Sequence, residues 1–247
     1  MTSLTSVVLA GGGTAGHVSP LIATADALRR EHPEVGITVL GTVEGLEARL
    51  VPERGYPLRT IGKVPFPRRP GAAALRFPAA MKRAVDQAGR VLDETGAEVV
   101  VGFGGYPSIP PLLAAVARGI PTVIHEQNAV MGRANRMLAP KVRAIATGFA
   151  GILNREPALA AKATHTGNPV RPAVIAAAST PYPELDTTGP LRLLVFGGSQ
   201  GARVMADVVP IAIEKLEPHL QMRLKIIQQA CDFDEARARE IYTKLNV

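Results

Sequence analysis

Residues 7–20 read VVLAGGGTAGHVSP. Four apolar residues run into three glycines, then a threonine, an alanine, a fourth glycine and His17. An apolar run bounded by glycine predicts a buried strand over SVVLA (6–10), and SPLIATADALRREHP (19–33) predicts a helix behind it. Strand, glycine turn and helix start together make a phosphate site. Glycine lets the backbone turn tightly and approach a ligand, while the free N–H groups and the positive end of the helix dipole favour an anion. Gly11, Gly13 and Gly16 also satisfy G-x-G-x-x-G. A dinucleotide site asks further for an acidic residue at the end of the second strand, and Gly41 and Thr42 stand there, with Glu44 only nearby. A dinucleotide-binding oxidoreductase is therefore the remoter alternative. His17 reads either as a helix-start histidine bonded to backbone or as a titratable group set beside a ligand.

The theme repeats along the chain. Strands are predicted at GITVLG (36–41), AEVVVGFGG (97–105), IPTVIHEQN (120–128) and RAIATG (143–148). Helices are predicted at LEARLVPERG (46–55), IPPLLAAVARG (109–119) and VMGRANRMLAPKV (130–142), with a longer proline-interrupted one at 73–96. Continuously apolar strands alternating with helices predict an α/β fold with a parallel sheet covered on both faces. From Thr166 to Pro190 the prolines crowd and strand signal fades, which predicts a connection between an N-terminal domain (1–165) and a second one (191–247). The second restarts as strand, glycines and helix, then adds one strand and one helix. Two strands are few for an open doubly wound sheet, so this domain reads as cut short.

Composition narrows the classes. The chain has 247 residues, 47% hydrophobic and 20% charged, as expected of a packed globular protein. It has no tryptophan and 4% aromatics, which argues against a stacking surface for nucleic acid. Its one cysteine permits no internal disulfide, and its start shows neither the basic region nor the apolar length of a signal peptide. No stretch approaches the roughly 20 apolar residues of a spanning helix. The net charge is +7, and residues 59–90, with eight basic side chains against Asp86 alone, hold an equal excess. That segment also carries Val64, Phe66, Leu75, Phe77 and Met81. A basic, partly apolar segment can lie on an anionic membrane, each charge contributing about 1 kcal/mol near the surface, or it can be a solvated face with no partner.

Further clusters sit at predicted strand ends, where open α/β sheets bind ligands: FGGYPS (103–108), HEQNAVMGRAN (125–135) and FGGSQGAR (196–203). Taken in order with GGTAGHVSP (12–20) and TGNPVRP (166–172), they resemble the MurG family, bacterial glycosyltransferases of peptidoglycan synthesis. The resemblance runs through nearly the whole chain. It implies a GT-B fold, two doubly wound parallel-sheet domains facing each other, the second incomplete here. It implies transfer of N-acetylglucosamine from UDP-N-acetylglucosamine to lipid I, forming lipid II, by a peripheral enzyme at the cytoplasmic face of the bacterial inner membrane. No cofactor and no metal are implied. The family continues beyond the position of Val247, and that part carries most of the uridine contacts. An inactive fragment or membrane-docking module of such an enzyme is the alternative.

Carried over by residue, the resemblance implies that Thr14, Ala15 and Gly16 form the turn facing the donor, and that Asn128, Arg171 and Ser199 contact it. Arg171 suits a diphosphate, because a guanidinium binds phosphate oxygens as a planar fork. Tyr106, His125 and Glu126 fall on the acceptor side. Ala15 stands where the family has glycine, a tolerable change if its φ is negative. The chemistry needs a base for the attacking hydroxyl and positive potential for the leaving diphosphate. His17 is the first choice for the base, with Glu126 or His125 behind it. Lys63, Arg68, Arg69, Arg76, Lys82 and Arg83 are the expected membrane contacts. Two literal motif matches are set aside. Asp232-Phe233-Asp234 fits D-x-D, but Asp232 with Glu235 reads as an N-cap and capping box. Gly197 to Gly201 fits G-x-S-x-G, but His219 alone follows as a possible triad histidine.

Overall fold

A computed structural model describes residues 4–66, 72–184, 186, 188–198 and 201–246. Arg68, Arg69 and Ser199 lie outside them. The chain forms two compact units, Met1–Ser179 and Thr180–Val247.

The first unit runs β1 (Ser6–Ala10), α1 (Ala15–Glu31), β2 (Gly36–Gly41), α2 (Glu47–Glu53), β3 (Leu58–Thr60), α3 (Ala72–Thr95), β4 (Val99–Gly102), α4 (Ile109–Ala117), β5 (Thr122–Glu126), α5 (Arg133–Leu138), β6 (Ala144–Thr147), α6 (Pro157–Ala160), β7 (Ala163–His165) and α7 (Pro172–Ala178). Its seven strands are all parallel, in the order β3-β2-β1-β4-β5-β6-β7. The continuous apolar run of β1 follows from burial on both faces. Val7 and Leu9 pack on one side with Val18, Leu21 and Ala25 of α1 and Val51 of α2. Val8 and Ala10 pack on the other with Ala84, Ala88 and Leu92 of α3, Leu112 of α4 and Leu138 of α5. The strand order reverses between β1 and β4, so the loops after these two strands diverge and leave a crevice at their C-terminal ends.

Four local readings are corrected. Helix α1 begins at Ala15, four residues before the Ser-Pro that reads as a start, which puts Gly16 and His17 in its first turn. Pro20 is accommodated inside it, forgoing the bond to the Gly16 carbonyl. Ala15 keeps a negative φ, since Asn246 is the only described non-glycine residue with a positive one. Helix α3 runs without a break through Pro78. Its buried residues Ala84, Ala88, Val91 and Leu92 fall on one stripe, and Arg76, Lys82, Arg83 and Arg90 are exposed. A short helix, α7, occupies part of the proline-rich 166–190 stretch, with Pro172 at its first position, where the missing N–H has no intrahelical partner to lose.

The second unit holds β8 (Leu191–Val195), α8 (Arg203–Glu214), α9 (Pro218–Gln221), β9 (Leu224–Gln228) and α10 (Asp232–Lys244), with β8 and β9 paired in parallel. Leu194 and Ile227 of this two-stranded sheet are 64% and 72% exposed, an uncovered apolar face. The fourth correction concerns α10. Its N-cap is Cys231, and Asp232 is the first helical residue. Asp234 accepts hydrogen bonds from Cys231 Sγ at 3.0 Å and from Arg237 at 2.7 Å, so the D-x-D match is part of a helix start.

Candidate functional site

The crevice between β1 and β4 holds a cavity of about 380 Å³, within the range of small-ligand sites. Three loops wall it: Gly12 to Thr14 with His17 after β1, Gly104 to Pro107 after β4, and Glu126 to Asn135 after β5. Each loop is fixed by a different device.

The first is held by a residue that pattern reading passes over. Glu47, the first residue of α2, is completely buried. Its carboxylate accepts from Gly13 N at 2.8 Å, Thr42 N at 3.0 Å and Thr42 Oγ1 at 2.9 Å. Glu47 therefore ties the loop after β1 to the loop after β2. A Cβ at Gly12, Gly41 or Gly45 would overlap its side chain, which explains glycine at three separated positions. That glycine cluster is the sequence signal that could have found it.

The second device is close backbone approach. Gly105 has φ +73°, and a Cβ there would stand 2.5 Å from the Gly12 carbonyl oxygen and 3.2 Å from His17 Nδ1. Gly104, at φ +84°, packs against the other edge of the imidazole. The glycine pair of FGGYPS thus seats His17 between two loops.

The third device is Glu126, which is 1% exposed. Its Oε1 accepts from Asn128 N at 3.0 Å and Asn128 Nδ2 at 2.9 Å, and its Oε2 from Gly132 N and Asn135 Nδ2, both at 2.9 Å. A carboxylate offers about four lone-pair positions, and four donors fill them. Asn135, also in the cavity wall, has its Oδ1 buried without a hydrogen-bond partner among the described residues.

His17 is half-buried, with Nδ1 3.1 Å from Thr14 Oγ1. Burial lowers its pKa below the ordinary value, an effect partly opposed by a hydrogen bond to the Gly12 backbone and by the charges of Glu126 and Glu47. Burial thus favours the neutral imidazole, the form able to accept a proton. Tyr106, 43% exposed, and Asn128 face the same cavity.

Other expected site residues stand elsewhere. Thr14 lines the cavity, while Ala15 and Gly16 are not among its lining residues. His125 does not line it either. It is 3% exposed, with Nε2 3.0 Å from the Gly167 carbonyl and Nδ1 3.0 Å from Gln127 Nε2. Burial lowers its pKa too, so the neutral ring donates to Gly167 and accepts from Gln127. Asn168 Nδ2 adds a bond to the Gln127 carbonyl at 3.1 Å, pinning the TGNPVR turn to the HEQN loop. Arg171, the N-cap of α7, is exposed and outside the cavity wall. On the basic segment, Lys82 pairs with Asp86 at 2.8 Å, while Lys63, Arg76 and Arg83 have no ionic partner among the described residues. No described helix is long and apolar enough to cross a membrane.

The profile of the glycosyltransferase family 28 N-terminal domain matches residues 7–147. The chain belongs to glycosyltransferase family 28. That match spans the three loops of the cavity as far as β6. Among curated members of known name, the chain is 46% identical over 98% of its length to the UDP-N-acetylglucosamine–N-acetylmuramyl-(pentapeptide) pyrophosphoryl-undecaprenol N-acetylglucosamine transferase of Rhodopseudomonas palustris strain BisB18, of which it covers 64%. It is 48% identical, over 96% of its length, to the protein of the same name from Methylobacterium sp. strain 4-46, covering 63% of it. The crystal structure of Acinetobacter baumannii MurG is similar with a TM-score of 0.72 and 28% identity, over 98% of this chain and 64% of that one. The Staphylococcus aureus MnaA–UDP structure, at 12% identity and TM-score 0.60, shares the GT-B fold. This family 28 chain thus spans a little under two-thirds of the relatives it matches.

Proposed function

We propose that this family 28 chain forms the larger part of an inverting glycosyltransferase that moves N-acetylglucosamine from UDP-N-acetylglucosamine to lipid I, giving lipid II. The observation that carries the reading is His17, half-buried and facing one cavity with Tyr106 and Asn128 at the sheet's switch point. The naming of its relatives supports it.

In this reading the acceptor's muramyl hydroxyl enters the cavity beside His17. With Nδ1 held at Thr14, Nε2 is the nitrogen left to take the hydroxyl proton as oxygen attacks the anomeric carbon. UDP departs from the opposite face, so configuration inverts. Thr14, Ala15, Gly16, Asn128, Arg171 and Ser199 are assigned to the donor, and the Arg171 guanidinium meets the negative charge that develops on the diphosphate. Tyr106 stays on the acceptor side. Glu126 and His125 act as positioning residues, because their acceptor and donor positions are occupied by the loops they hold. Residues 1–165 serve the membrane-bound acceptor and 191–247 begin the donor domain. Lys63, Arg76, Lys82 and Arg83, with Arg68 and Arg69, bring the enzyme to the anionic cytoplasmic leaflet as a peripheral protein.

The test is transfer of labelled N-acetylglucosamine to lipid I in detergent. It is run on residues 1–247 and on any longer product of the same reading frame. Labelled lipid II from either supports the reading, and its absence from both, beside an active relative, contradicts it.

A further inference from the structure

Gln127 lines the cavity, yet its side-chain amide bonds to Phe103 and His125, which do not. Nε2 donates to the Phe103 carbonyl at 3.1 Å, and it stands 3.0 Å from His125 Nδ1 and 3.2 Å from the His125 carbonyl. The Phe103 carbonyl belongs to the peptide bond that enters Gly104, and Gly104 packs on the imidazole of His17. One side chain of the third loop therefore fixes the loop that seats the histidine of the first. Gln127 is itself held from farther along the chain. Its carbonyl accepts from Asn168 Nδ2 at 3.1 Å, and the His125 ring to which it donates bonds the Gly167 carbonyl at 3.0 Å. Two glycines allow this. A Cβ at Gly148 would stand 2.1 Å from Asn168 Oδ1, and Gly167 turns the chain at φ +73°.

We infer that Gln127 is a positioning residue for His17, and that the turn at Gly167 and Asn168, just after β7, is its anchor. The inference rests on the transferase reading for what His17 does, and adds to it what sets the histidine's place. The sheet does not need these bonds. Strands β4 and β5 pair through their main chains from Val100 to Gly102, and β6 and β7 pair in the same way. The Gln127 amide instead joins segments that share no ladder: the approach to Gly104, the HEQN loop and the turn after β7. Its bonds run in one direction, from the Gln127 N–H to His125 Nδ1 and from His125 Nε2–H to the Gly167 carbonyl, so loss of the amide leaves both Phe103 and His125 without their donor. A proton-accepting group is sensitive to such a change, since a misplacement of about 1 Å can cost about 10²-fold in rate.

The test replaces Gln127 by methionine, which keeps the length of the side chain and has no N–H to donate. In the 247-residue chain, imidazole nitrogen NMR should show the His17 signals shifted. Amide exchange over residues 103–108 should quicken, while Gly132, whose N–H is held by Glu126, exchanges as in the wild type. Asn168 is exposed, so Asn168→Ala should melt with the wild type, and it should move the His17 signals in the same sense but less. The double variant should place those signals where Gln127→Met alone places them, because the anchor acts through the Gln127 side chain. In a protein that transfers, Gln127→Met should lose about ten- to a hundredfold in kcat, with both KM values within about threefold of the wild type. Unchanged His17 signals in Gln127→Met overturn the proposal, and unchanged signals in Asn168→Ala overturn the anchor. A raised KM with kcat kept also overturns it, since Gln127 would then be a substrate contact. The two readings fail separately. Shifted His17 signals without transfer by any form of the protein sink the transferase reading alone, whereas transfer at the wild-type kcat in Gln127→Met sinks this inference alone.

Discussion

Glu126 Oε1 holds both the backbone N–H and the side-chain amide of Asn128, at 3.0 and 2.9 Å, and so fixes this exposed residue of the HEQN loop in the cavity wall. A group bonded in this way organises the site and is poorly placed to remove a proton from a substrate. Glu126→Gln would turn an N–H₂ toward groups that are themselves donors. It should lower unfolding stability by about 2–4 kcal/mol, the scale for buried polar groups left unpaired. Urea unfolding is the check. A variant of wild-type stability that has lost all turnover would return the base role to Glu126.

Glu47 makes a parallel prediction. Glu47→Ala strands the N–H groups of Gly13 and Thr42 and opens a void under the glycine loop. Stability should fall by about 2–4 kcal/mol. Amide exchange should also speed up at Gly12 to Gly16 while the far edge at β6 and β7 stays protected. Unchanged exchange in the glycine loop would show that Glu47 does not hold it.

Much of this was legible in the chain. Strand, glycines and helix at 6–31, and loops rich in hydrogen-bonding groups after β4 and β5, follow from period, punctuation and the rule for sheet switch points. The edge strands β3 and β7 were not, because three residues such as Leu58–Thr60 carry no readable alternation and become strands by pairing with a neighbour. The roles of Glu47, His125 and Glu126 were also hidden. A buried acid or histidine looks like an exposed one until the partners brought to it from distant segments are known. For Glu47 the donor is Gly13 N–H, 34 residues away, and for His125 the decisive partner is an acceptor, the Gly167 carbonyl, 42 residues away.

Helix α3 carries the membrane prediction. Arg76 and Arg83 are exposed and unpaired among the described residues, so the double change Arg76→Glu, Arg83→Glu removes attraction without breaking an internal bond. At about 1 kcal/mol per basic residue near an anionic surface, vesicle affinity should drop by more than tenfold. Salt should weaken wild-type binding in the same sense. Co-sedimentation with phosphatidylglycerol vesicles reads both, and equal sedimentation of the two proteins would remove α3 from the contact.

The direction of the His17 shift sets a pH profile. Burial lowers its pKa, so the neutral base persists below the ordinary histidine range and is lost as pH falls through the lowered value. The acid limb of kcat/KM should therefore bend below about pH 6.5. The neutral ring's contribution to stability should likewise be complete above that pH and decline beneath it.

The most direct test of the account is turnover of His17→Gln with UDP-N-acetylglucosamine and lipid I, measured beside the wild type in a protein that transfers. Glutamine keeps a hydrogen bond to Thr14 but cannot carry the proton. The account predicts a loss of about 10²- to 10⁴-fold in kcat, an unchanged KM for the donor and disappearance of the acid limb. Turnover within a few-fold of wild type, with the acid limb intact, would contradict it and assign the proton to another group.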